Sequence, residues 1–142
     1  MLDTKKLVEA AKLPAIILVV LSLINLGVAL SMDFSVMAAV SSLVALIGLA
    51  VIVWAGYNAV KTLKFDVVNA GMVGLVASVI SGIIGGILNI LTMPIIVAKY
   101  AGYTAGTAMA GLEVVGLLIG VIFGAVLGFI LAAIGGFIGQ KY

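Results

Sequence analysis

Three polar side chains stand out in this chain because each sits in or beside a long apolar stretch. Glu113 is a carboxylate that borders such a run, and an acid in that setting is a candidate for carrying protons through a membrane. The uncharged run that follows, 114–140, is long enough to cross a bilayer by itself, so Glu113 is expected at a boundary rather than at depth. Asn25 and Asn89 fall inside apolar runs, where a carboxamide ordinarily serves as a hydrogen-bonding contact between helices. The usual parts of a catalytic site are missing: there is no histidine, cysteine or arginine. Imidazole bases, thiolates, disulfides and the common zinc ligands are thereby excluded. No serine has a base to activate it, since the lysines lie far from the apolar runs that hold most serines. "GMVGLV" and "SGIIGG" are glycine-rich, but neither follows a strand or leads into the Lys-Ser/Thr pair of a phosphate loop. The expectation is a protein that is not an enzyme and holds no cofactor or metal.

The elements that would position these groups follow from composition. The chain has 142 residues, 65% hydrophobic and 8% charged, with a mean hydropathy of +1.48. A soluble domain carries about 25% charged residues, and this chain has too few polar residues to face water. Its apolar surface must meet lipid or other protein. Charges divide the sequence into uncharged runs at 13–32, 34–60, 67–98 and 114–140, each matching or exceeding the roughly 18–20 residues of a membrane span. They predict one domain of four helices, about 4–31, 34–63, 66–98 with a kink near Pro94, and 104–139. Asp33 or Ser35, Asp66, and Thr104 or Thr107 are the expected caps. Short connections make this an all-α, up-down-up-down four-helix bundle built from two helical hairpins.

All but three of the eighteen glycines lie after residue 70. They form two ladders of small residues at every fourth position: Ala70, Gly74, Ser78, Gly82 and Gly86 in helix three, and Gly116, Gly120, Gly124, Gly128, Ala132 and Gly136 in helix four. Glycine in a helix costs about 0.8–1 kcal/mol relative to alanine. Close backbone approach is what offsets that cost. The ladders wind around their helices, so contacts within one subunit and between subunits are both expected. A faint repeat accompanies them: "LINLG" at 23–27 echoes "ILNIL" at 87–91.

The alternating topology brings Lys5, Lys6, Lys12, Lys61, Lys64 and Lys141 to one end, with Lys99, Asp33 and Glu113 at the other. In a bilayer this is the positive-inside pattern, with both termini cytoplasmic. In a shell it would be a basic lining turned toward nucleic acid.

The lysine-bearing start "TKKLVEAAKLPAIILVV", the hairpins of very apolar helices, the small residues at contacts and the lack of cysteine resemble the coat proteins of tailed spindle-shaped archaeal viruses. That resemblance implies a self-assembling virion subunit, packed against many copies of itself, with its lysines on DNA without sequence preference. The alternative is a small four-span integral membrane protein in the lipid bilayer, N-in and C-in, acting as a pore or an accessory subunit of a transport complex. The absence of an evident polar cluster in the spans counts against a transporter. The coat is the favoured expectation by a narrow margin.

Overall fold

The computed structural model describes residues 3–99 and 110–142, with side chains from 115 onward in the second segment. Helices α1 Thr4–Ser31, α2 Phe34–Leu63, α3 Val67–Lys99 and α4 Ala110–Lys141 account for nearly all of them, and no strand occurs among the described residues. The fold is an all-α four-helix bundle. Thr104, Thr107, Tyr100, Tyr103 and the side chain of Glu113 lie outside the described residues.

Short polar side chains set the helix starts. Asp3 accepts from the Lys5 N–H at 3.1 Å, and Asp66 accepts from the Asn69 N–H at 2.7 Å. Both carboxylates sit at the positive end of a helix dipole, a favourable placement. Asp33 holds the N-cap position of α2 in extended backbone, without a side-chain cap bond. α2 ends on Lys64, whose φ of 58° and ψ of 34° are left-handed, and the Phe65 N–H turns back to the Ala59 carbonyl at 3.2 Å. At the opposite end, Lys99 Nζ donates to the carbonyls of Leu30 and Met32 at 2.8 and 2.9 Å, satisfying acceptors that the end of α1 leaves open. Pro14 lies inside α1 and Pro94 inside α3, and both helices run through without a break.

Directions alternate along the chain, but the lateral order is not sequential. α1 packs on α2 and α3, α4 packs on α3 and α2, and α2 and α3 also meet across the diagonal; α1 and α4 do not touch among the described residues. The four helices therefore go round in the order α1, α2, α4, α3, and each has one antiparallel and one parallel neighbour. Gly74 against Gly128 and Gly86 against Leu117 show α3 and α4 antiparallel. Gly135 against Val53 and Gly139 against Tyr57 show α2 and α4 parallel.

Most of the buried residues lie at the lysine end, with Ala29 near the end of α1 as the exception. Ala11, Ala70, Val73, Ala77 and Ala132 are completely buried. The buried residues of α2 are Ile52, Ala55, Gly56, Ala59 and Val60, and those of α3 run from Ala70 to Ser78. Here backbones meet directly. A Cβ on Gly56 would strike the Ala132 carbonyl, and one on Gly128 would lie 2.7 Å from the Gly74 carbonyl. The Ser78 hydroxyl, buried against Gly128, has no hydrogen-bond partner among the described residues. Toward the other end the outer part of α2 keeps α1, through Leu18 on Gly48. The outer part of α4 keeps α3, through Val121 on Gly82. The hairpins meet backbone to backbone at the lysine end, and beyond it α1 and α3 stay in touch through Ser22 on Gly85 and through Lys99 on the Leu30 and Met32 carbonyls.

The two ladders differ in what they meet. Ala70, Gly74, Ser78, Gly82, Gly86, Gly128, Ala132 and Gly136 lie on contacts within the chain. Gly116, Gly120 and Gly124 face open space, with nothing within 4 Å of where a Cβ would stand. Gly56, Gly135 and Gly139 form a second close seam, between α2 and α4, that the four-residue spacing does not mark.

Candidate functional site

Toward the end opposite the lysines, the bundle encloses a cleft of about 510 Å³. Ser22, Asn25 and Ala29 of α1, Met37 and Ser41 of α2, and Ser81, Gly85 and Asn89 of α3 are among the residues on its wall. A second hollow shares Ser22, Asn25, Ser41 and Ser81. A third shares Gly85, Gly86, Asn89 and Met93 and reaches Gly116 and Leu117 of α4. Ser22 and Ser81 stand near the middle of their apolar runs. Asn25 lies about 9 Å from the end of α1 at 1.5 Å per residue.

The polar groups are partly committed to one another. Ser41 Oγ donates to Asn25 Oδ1 at 2.6 Å, tying α2 to α1. Ser22 Oγ donates to the Leu18 carbonyl at 3.0 Å and Ser81 Oγ to the Ser78 carbonyl at 3.2 Å. Neither the Asn25 amide nitrogen nor the Asn89 carboxamide has a side-chain partner among the described residues. The described residues on the walls include no titratable group. Such a site can bind through neutral hydrogen bonds.

This corrects the expectation that the spans lack a polar cluster. Asn25 and Asn89 were each legible as isolated polar groups, and the structure brings them to one cleft together with three serines. α1 and α3 run parallel side by side, so the two faintly repeated segments, 23–27 and 87–91, fall at the same end. That repeat was the available signal. The serines carried none, because apolar helices commonly hold a serine bonded to its own backbone.

The other expected site is the basic end. Asp3, Lys6, Leu63, Lys64, Asp66 and Asn69 border one surface hollow, which puts the start of α1 beside the α2–α3 connection. Gly139 rests on Tyr57 and Val60, which brings the end of α4 there as well. Lys5, Lys6, Lys12, Lys64 and Lys141 are exposed and Lys61 is half-buried. Lys61, Lys64 and Lys141 sit at helix C-termini, where cations are favoured.

The outward surface decides the setting. Leu43, Leu46, Leu91, Ile122 and Phe123 are each more than half exposed, and exposed apolar residues surround the bundle rather than forming one patch. All four helices are long and apolar enough to cross a membrane. Residues 14–141 match the family model described as the MJ1491 transmembrane domain. The chain belongs to the MJ1491 transmembrane-domain family. No curated protein and no solved structure matches it. A member of this family is a membrane protein. The coat reading, with its virion shell and DNA partner, finds no support in the MJ1491 match. It rested on apolar helices with small residues at contacts, and a bilayer calls for those same properties.

Proposed function

We propose that the protein is a non-enzymatic, four-span integral membrane protein with both termini cytoplasmic, serving as an accessory subunit of a transport complex rather than as a pore. The observation that carries the orientation is the gathering of six lysines at one end of the bundle, with Lys99 alone of the seven at the other. Lysine-rich connections stay on the cytoplasmic side. The packed lysine end favours a subunit over a pore, because Gly56, Gly74 and Gly128 there meet backbone directly and leave no channel between helices. The lipid bilayer is its first partner.

The chain has no cysteine, so single cysteines report cleanly. Lys64→Cys should react with a membrane-impermeant maleimide only after cells are permeabilised, and Asp33→Cys should react in intact cells. The reverse pattern would overturn the orientation. Recovery of the protein outside the membrane fraction would overturn the reading as a whole.

A further inference from the structure

We propose that the cleft between α1, α2 and α3 is a binding site for a small uncharged polyhydroxy solute, entering from the end opposite the lysines. The proposal rests on the membrane reading above. Its first support is the state of the polar groups. A carboxamide at membrane depth is costly unless its hydrogen bonds are made, yet the Asn25 nitrogen and the whole Asn89 carboxamide lack partners among the described residues. The cleft beside them is large enough to hold a small solute with some of its water, each water taking about 30 Å³ in the liquid.

The pattern of donors and acceptors selects the chemistry. The hydroxyl protons of Ser22, Ser41 and Ser81 are already given to Leu18, Asn25 and Ser78. Their oxygens therefore remain as acceptors, and the two asparagines supply N–H donors. A hydroxyl group both donates and accepts, so neighbouring hydroxyls on one solute match such a wall. An anion would find no cationic donor on the wall, and a cation no carboxylate. Either would leave water without compensation. Met37 and Met93 line the same cleft and give a carbon skeleton an apolar surface that adapts to its shape.

Access is one-sided. Below Ser81 the interior is closed by Ser78, Ala77 and Val73, all buried, whereas Asn89 is exposed on the cleft. A solute would enter past Asn89 and stop near the middle of the bundle.

The test uses the full chain in lipid nanodiscs with ¹⁵N-labelled asparagine, titrated with meso-erythritol. The side-chain amide signals of Asn25 and Asn89 should shift and saturate. Asn89→Leu should weaken the response of the Asn25 signal at least fivefold while the rest of the spectrum stays dispersed; Asn89→Ala serves if the leucine variant does not fold. A linear, unsaturable drift, or no shift, would overturn the proposal. Equal binding of erythronate, the charged analogue, would overturn the chemical class. In liposomes, Ser41→Cys should react with a small impermeant thiosulfonate from the side on which Asp33→Cys reacts. Protection of Ser41→Cys from both sides, with Asp33→Cys still reactive, would sink the cleft and leave the membrane reading intact. If Asp33→Cys and Lys64→Cys react equally without a bilayer barrier between them, the membrane reading is the part that fails.

Discussion

Ser41 on α2 donates its hydroxyl to Asn25 Oδ1 on α1 at 2.6 Å, a direct polar tie between the first two helices. It lies in the half of the bundle where α2 has no buried residue of its own, so little apolar packing backs it up. Ser41→Ala should lower stability by about 0.6 kcal/mol, and by no more than about 1.7, the range of interhelical hydrogen bonds in membranes. Unfolding in mixed micelles would measure it. An Asn25→Leu background should make the serine substitution nearly silent.

The two kinds of ladder position should behave oppositely. Gly74→Val or Gly128→Val forces a side chain onto backbone that cannot yield, and should cost about 1–3 kcal/mol or prevent folding. Gly120→Leu enters open space. In the isolated chain it should be neutral or raise stability by up to about 1 kcal/mol, through better helix propensity. Melting of the three variants side by side in one detergent would separate them.

Lys64 is the one non-glycine residue with positive φ among the described residues. A left-handed conformation costs an ordinary L-residue about 1–2 kcal/mol, part of which glycine returns through its freer unfolded state. Lys64→Gly should therefore stabilise the fold by about 0.5–1 kcal/mol, and Lys64→Val should destabilise it. A rise in melting temperature for the first and a fall for the second would be the signature.

Lys99 joins the end of α3 to the end of α1 through the Leu30 and Met32 carbonyls. Lys99→Met should leave global stability almost unchanged, while the last turn of α1 exchanges its amide hydrogens faster. An exposed contact of this kind holds about 0.5–1 kcal/mol of local protection. Exchange by mass spectrometry over residues 26–33 is the measurement.

Much of the fold could be read from where the charges fall. Asp33, Lys64, Asp66 and Lys99 interrupt the apolar runs at the helix ends, and the chain turns only where charged or cap-forming residues allow it. The lateral order could not be read in the same way. Helices apolar on every side carry no mark of which face meets which neighbour, so nothing in the sequence distinguishes α2 beside α4 from α1 beside α4. Gly56 shows the difficulty. It is one of two glycines in α2, in no ladder, and only the geometry reveals that the Ala132 backbone rests on it. Asn25 and Asn89 were visible individually, but their convergence depends on α1 and α3 lying parallel. The preference for a shell over a bilayer failed for a related reason: apolar composition says that water is excluded and is silent on what replaces it.

The bundle is held together differently at its two ends. Near the lysines the helices approach to backbone contact over Gly56, Gly74 and Gly128. Around the cleft they are tied by single polar bonds, Ser41 to Asn25 between α2 and α1 and Lys99 to the Leu30 and Met32 carbonyls between α3 and α1. Regions with few buried apolar contacts open first. The lysine end is therefore the rigid anchor of the molecule, and thermal motion gathers in the cleft half, where one lost hydroxyl frees a helix that no close-packed seam restrains.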